Sequence, residues 1–291
     1  MLYVIACYIL WGVLPIYWKL LGAVDSVYIL CSRVLWSLVF ITLIIIVAGK
    51  LPLLREAFRD KKSLLFTALS GIFICINWGV YIWAVNHEHI IDSSLGYYLN
   101  PLLVVGISAL VFKEKLSKGE WTAVAVSAAG VLLAVISSHT VPVIALLIGG
   151  SFAIYGALKK KVSYASEISM FLETMFVSPF AIAFILFAEW NEKGALGILQ
   201  GWRLLLIPCA GIITAIPLLF FAAGVKKVPY YFTGILMYVN PTLQLLVGVC
   251  LYKEAFTWTD GIVFALIWVG VLVMIRETLK KAKKEEVVSY R

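Results

Sequence analysis

Arg33 and Glu173 are the only ionisable side chains well inside apolar runs of this chain, and they stand 140 residues apart. A charge in hydrocarbon costs at least a few kcal/mol, so it marks a pathway, a gate or an ion pair. Each lies about seven residues past the start of its run, roughly 10 Å along a helix. There, Arg33 could take an anionic or zwitterionic substrate and Glu173 could carry a proton. A pair formed between them in one state and separated by substrate in another would couple the two tasks. A structural ion pair, or an Arg snorkelling to the interface, is the plainer alternative.

Further signatures share this offset. Asn100-Pro101 returns as Asn240-Pro241. Proline has no N–H, so the carbonyls of Tyr97 and Met237 lose their helical partner. In hydrocarbon such groups must find a new partner or line a wet cavity. Placed at the centres of their helices, both pairs are expected to kink them and to turn amides toward a central path. A mechanical bend, with Asn bonded to a neighbouring helix, is the alternative. Pro15 and Pro217 join Pro101 and Pro241 as candidate hinges. Many aromatics near the ends of runs read as interface belts. Trp11, Trp78, Tyr81 and Tyr155 lie deeper, beside Asn77, and Tyr238 adjoins the second Asn-Pro pair. The candidate substrate path is therefore Trp11, Arg33, Asn77, Trp78, Tyr81, Asn100, Tyr155, Glu173, Tyr238 and Asn240. For the deep aromatics, tight helix packing explains the pattern as well as cavity lining does.

The elements that must position these groups are transmembrane helices. Of 291 residues, 63% are hydrophobic and 14% are charged, against about half and a quarter in soluble domains. A bilayer core of about 30 Å takes about 20 apolar residues per helix. Ten such runs are present, near 3–21, 26–48, 63–84, 90–111, 120–137, 142–158, 166–189, 202–224, 229–251 and 258–276. The first has no basic segment before it and reads as a retained helix rather than a cleaved signal. With the N-terminus inside, the segments 49–62, 112–119, 159–165 and 225–228 and the tail from Arg276 hold 19 of the 24 Lys and Arg. That is the positive-inside pattern, so the net charge of +8 is a topology signal and no nucleic-acid partner is expected.

Tyr98-Leu99-Asn100-Pro101 returns as Tyr238-Val239-Asn240-Pro241, Lys113-Glu114 as Lys253-Glu254, and Gly130-Val131-Leu132 as Gly270-Val271-Leu272. Ten runs over a 140-residue period give five per repeat. Five is odd, so the second copy must enter the membrane upside down. The expected fold is all-α, ten transmembrane helices as two inverted five-helix repeats, with both termini inside. The first repeat is 1–137, the second 138–276, and 277–291 is a cytoplasmic basic tail. Inverted repeats are a hallmark of secondary transporters, with substrate held near midplane between them. Ser117-x-x-Glu120 and Thr257-x-x-Asp260 have the form of capping boxes at helix starts.

Catalytic signatures are missing. The five Cys residues lie in apolar runs without metal-type spacing, and the three His residues fall in loops. No cofactor, metal site or phosphate-binding loop is expected. A lipid-modifying membrane enzyme would need clustered His, Asp or Glu near the membrane. A non-transporting scaffold would not need intramembrane charges.

The chain resembles the EamA-type branch of the drug/metabolite transporter superfamily. The likeness is carried by 10–19 (from Leu10-Trp11-Gly12 to Trp18-Lys19), 33–37 (Arg33-Val34-Leu35-Trp36-Ser37) and 77–86 (from Asn77-Trp78-Gly79 to Val85-Asn86). It extends to 95–102, Leu172-Glu173-Thr174 and 211–218. Ser32 departs from the pattern, where a His before the Arg is expected, and so proton use is not implied at that point. The resemblance implies a multi-pass exporter or permease of the bacterial inner membrane, moving small metabolites or drug-like amphiphiles by alternating access. Protons are a candidate coupling ion, membrane lipids are the surroundings, and either a monomer or a dimer fits.

Overall fold

A computed structural model describes residues 2–111, 113, 116–138, 141–159, 161–225 and 236–289. Every regular element among them is helical. The first span is two pieces, α1 (Leu2–Gly12) and α2 (Leu14–Leu20). The break falls at Val13, because Pro15 at the start of α2 has no N–H to continue the ladder. Asp25 starts α3 (Ser26–Val47) by accepting from the amides of Val27 at 2.9 Å and Tyr28 at 3.1 Å. A short α4 (Leu51–Ala57) leads to α5 (Lys61–Asn86), whose first turn Asp60 caps through the Ser63 amide. Helix α6 (Ile90–Val111) is capped from a distance: the Glu254 carboxylate accepts from the Ile90 and Ile91 amides, both at 2.9 Å. Then follow α7 (Lys118–Ser138), α8 (Val143–Lys159), α9 (Ser166–Trp190), the short α10 (Ala195–Ile198), a 3₁₀ turn, and α11 (Leu206–Val225). Helix α12 (Val239–Leu246) runs on into a π turn (Val247–Leu251), and α13 (Trp258–Ser289) ends the described chain.

Among the described residues, six helical segments are long and apolar enough to cross a bilayer: Leu2–Leu20, Ser26–Val47, Lys61–Asn86, Lys118–Ser137, Glu167–Ile198 and Trp258–Glu277. Val143–Lys159, Gly201–Pro217 and Val239–Leu251 are shorter apolar helices. Large apolar side chains such as Val47, Phe180, Trp190 and Trp258 face outward, while Ser, Thr, Asn and Gln are buried inside. Such large outward-facing apolar side chains, together with polar groups buried within an otherwise apolar core, depart from the pattern of a soluble protein and suit hydrocarbon surroundings. Helix α13 continues from the last apolar run through the charged tail as far as Ser289. The segment 226–235, where the sequence starts its ninth run, lies outside the described residues.

Both expected capping boxes are present. The Ser117 amide donates to Glu120 at 2.7 Å and the Glu120 amide to the Ser117 hydroxyl at 3.1 Å. Thr257 and Asp260 make the same reciprocal pair at 2.7 and 3.2 Å. The turns preceding them share a strained backbone, with Lys113 at φ 53° and Lys253 at φ 57°. Within the bundle α7 packs on α13, α3 on α9, α6 on α8 and α12, α5 on α8 and α9, α1 on α11 and α12, and α11 on α3. Glycine permits close approaches at equivalent places in the two halves: a Cβ on Gly71 would sit 3.0 Å from the Glu173 carbonyl, and one on Gly211 2.6 Å from Trp36 backbone.

Candidate functional site

Arg33 is 4% exposed. Its Nε donates to the Thr214 hydroxyl of α11 at 3.0 Å, and that hydroxyl donates onward to the Ala210 carbonyl at 2.8 Å. The guanidinium carbon lies 3.9 Å from the Trp78 ring centre and 5.2 Å from that of Trp18, within cation–π range. The Tyr81 and Tyr97 phenols and the Cys75 thiol are within electrostatic reach of it, and the two tyrosine rings meet edge-on at 5.7 Å. Arg33 Nη1 and the Tyr81 hydroxyl are both buried without a hydrogen-bond partner. No carboxylate pairs with Arg33 among the described residues.

Glu173, equally buried, is surrounded by donors. Lys159 Nζ and the Ser70 hydroxyl donate at 2.8 Å, the Ser169 hydroxyl at 3.2 Å, and the Tyr155 hydroxyl at 3.5 Å. Arg33 and Glu173 are thus not partners in this structure. Lys159, which the sequence assigns to an inner loop, is instead the last residue of α8, and the turn 161–165 brings it beside the start of α9. Its long stem carries the ammonium inward, leaving the side chain 24% exposed. Sequence reasoning missed it, although Tyr155 and Lys159 are spaced i, i+4 and so share one helix face. Thr214, Trp18, Ser70 and Ser169 were missed as well; hydroxyls and tryptophans in apolar runs carry no distinguishing pattern.

The asparagines divide three ways. Asn77 donates to the Ile148 carbonyl at 2.8 Å and the Ser151 hydroxyl at 3.3 Å, and accepts from Tyr97 at 3.4 Å, so it clips α5 to α8 and α6. Asn100 is buried in α6 with its amide nitrogen unpartnered. Asn240-Pro241 is not at the centre of a described helix but in the first turn of α12, where proline is tolerated. There the Met237 carbonyl accepts from the Asn240 amide at 3.2 Å, so proline leaves it satisfied. The Asn240 side-chain oxygen accepts from the Gln244 amide nitrogen at 2.8 Å, and the Gln244 side-chain oxygen accepts from Ser93 of α6 at 3.2 Å. Ser94 donates to the Pro241 carbonyl at 2.7 Å. Tyr98 and Tyr238 stack across this seam with ring centres 6.2 Å apart.

Trp11 packs on Tyr8 at 5.8 Å, and the neighbouring Gly12 lets α1 press against Leu243. Among the hinge candidates, Pro15 marks the α1–α2 break, Pro101 and Pro217 lie within α6 and α11, and Pro241 starts α12. Pro179, inside α9, is an interior proline the sequence reading passed over. Seven of the ten candidate path residues fall into an Arg33 group (with Trp78 and Tyr81), a Glu173 group (with Tyr155) and an α6–α12 seam (Tyr238 and Asn240), while Trp11, Asn77 and Asn100 stand outside them. All five cysteines are free thiols, and no cluster of metal-ligand type occurs among the described residues.

The model of the EamA-like transporter family matches residues 1–136 and again 139–276. An uncharacterized transporter YojE of Bacillus subtilis is 38% identical, with 96% of this chain and 94% of that one covered. Protein RarD of Streptomyces exfoliatus is 34% identical over 98% of this chain and 90% of its own length. A chloramphenicol-sensitive protein RarD of Pseudomonas aeruginosa is 28% identical over 97% and 95%. One solved crystal structure aligns with a TM-score of 0.60 at 20% identity, covering 94% of this chain and 95% of that one, a likeness of fold. Two successive matches to one family model, together spanning nearly all of a many-helix membrane chain, place it: the chain belongs to the EamA-like transporter family.

Proposed function

We propose that this chain is a secondary transporter of small metabolites or drug-like amphiphiles, working by alternating access in the bacterial plasma membrane. In this reading it has ten spans in two inverted five-helix repeats, 1–137 and 138–276, with both termini cytoplasmic. The observation that carries it is the way helix packing survives exchange of the halves. Replace α1–α2 by α8, α3 by α9, α5 by α11, α6 by α12 and α7 by α13, and the reverse. The pair α5–α8 then becomes α11–α1, α6–α8 becomes α12–α1, and α5–α9 becomes α11–α3. The pairs α3–α9, α6–α12 and α7–α13 map onto themselves. Every one is a packed pair. The close-packing glycines Gly71 and Gly211, the left-handed Lys113 and Lys253, and the stacked Tyr98 and Tyr238 support the same exchange. The smaller α3–α5 and α6–α7 contacts lack a comparable counterpart among the described residues, so the halves are alike in their main packing without being identical. Exchange of their conformations would open the bundle to the other side.

Two measurements test this. Cysteines placed at Lys118 and Thr259 in a cysteine-free background should label from opposite sides of the membrane; labelling of both from one side removes the inverted reading. Proteoliposomes of the purified chain, loaded with a labelled metabolite pool, should exchange some of it with the medium. Retention of the whole pool would reject transport.

A further inference from the structure

We propose that Arg33 binds the carboxylate of a small apolar monocarboxylic acid, the substrate class of the transport reading above, on which this inference rests. The guanidinium is a full positive charge, 4% exposed, on a helix read as crossing the membrane. Protein groups take only part of its binding capacity: Thr214 holds Nε, Trp78 covers a face, and Nη1 has no partner. These contacts fix the plane of the fork while leaving donor capacity on its outer edge, the edge that meets a carboxylate oxygen. A buried cation kept without a counter-ion is costly, and a water molecule would satisfy the donor but not the charge. The orphan Tyr81 hydroxyl, on the helix face shared with Trp78 three residues earlier in α5, is a candidate second donor for the same anion.

Charge balance narrows the class. Lys159, the cation of the Glu173 group, is engaged by Glu173 and Ser169. Arg33 therefore offers a single positive charge, which a monoanion neutralises and a phosphate dianion would overshoot. The ammonium of a zwitterion would in turn need a carboxylate, and Glu173 is already filled by four donors. The immediate surroundings of the guanidinium are aromatic, with the Trp78 and Trp18 rings lying against it, which suits an acid with an apolar body.

The test uses the full chain, purified, with benzoate, phenylacetate and hexanoate, each beside its amide and the amine of equal length. Binding is read by ligand-induced thermal stabilisation in detergent, and flux by exchange in proteoliposomes. At least one acid should bind and exchange, with its amide and amine inert. Arg33→Gln should weaken acid binding by about tenfold or more. Arg33→Lys, which keeps the charge but loses the fork, should fall between and guards against a merely unfolded variant. Failure of every acid to bind, amines or amides binding as well as acids, or undiminished acid binding in a folded Arg33→Gln would overturn the site. Acid binding that depends on Arg33 without flux of any compound would leave the site standing and remove transport. Flux of amines indifferent to Arg33 would do the reverse.

Discussion

Arg33 and Glu173 occupy matching places in the chain, yet their surroundings are opposite. Glu173 has a cation and three hydroxyls within hydrogen-bond reach, whereas Arg33 has one hydroxyl, two indole faces and an empty donor. The protein neutralises its buried anion internally and leaves its buried cation open. A charge with all its partners inside the fold holds helices together; one without them is set up to receive something from outside. If the two repeats do exchange conformations, this asymmetry is where the exchange stops being symmetric, since of these two equivalent charges only Arg33 lacks a partner of opposite charge among the described residues.

The comparison is broken most directly at Lys159. Lys159→Ala would leave the Glu173 carboxylate buried with hydroxyls alone, and loss of one partner of a buried pair costs about 3–5 kcal/mol. We expect a large fall in the thermal midpoint in detergent. Adding Glu173→Gln should recover most of it, because the charge leaves with its partner. A small effect of Lys159→Ala alone would mean that water already solvates Glu173. The Arg33 side should respond less, because no charge is newly orphaned there. Thr214→Val strands Nε as a further buried donor, at about 1–3 kcal/mol. Trp78→Leu removes the stacked indole, at about 0.5–2 kcal/mol. Thermal midpoints of both single variants and the double, set against the same changes in an Arg33→Gln background, separate guanidinium contacts from plain packing. Losses that persist in full without Arg33 would assign Thr214 and Trp78 to packing.

The helical segments were legible because hydropathy along the chain reports directly on burial in lipid. Runs read at 26–48, 90–111 and 142–158 appear as Ser26–Val47, Ile90–Val111 and Val143–Lys159. The capping boxes were legible because their chemistry is local, confined to four residues. What the sequence hid was long-range pairing. Glu254 capping α6 joins residues more than 160 apart, and nothing in the Lys253-Glu254 dipeptide names Ile90. Lys159 was misassigned for a related reason: a basic residue at the end of an apolar run reads as a loop charge, and only the fold shows its stem turned inward. Position alone suggested an Arg33–Glu173 pair, but equivalence under a repeat specifies matching places, not contact.

The smallest expected effect comes from a carboxylate with partners like those of Glu173 but placed in water. Asp60, at the start of α5, accepts from the Ser63 amide and the Ser163 hydroxyl at 3.0 Å each. Hydrogen bonds from Ser63, side chain first and then backbone, together with that from the Ser163 side chain, hold its carboxyl below the ordinary Asp value. A folded-state value below the unfolded one makes the ionised form favour folding. That contribution is fully present above the unfolded pKa of about 3.9, and it is lost as pH falls through the lower, folded value. The window is therefore acidic, beginning near pH 4 and extending below it. Asp60→Asn cannot ionise, so the difference in thermal midpoint between the two proteins should be steady from pH 7 to 5 and should shrink below about pH 4. Taking the difference cancels the titration of the other carboxylates. High salt should lower this difference very little, because the partners are hydroxyl and amide dipoles rather than charges. The Lys159–Glu173 loss should be larger by far, since water competes for Asp60 and is kept from Glu173. A difference unchanged down to pH 3 would show that Asp60 is solvated in the folded protein and that its hydroxyl partners do not hold the turn.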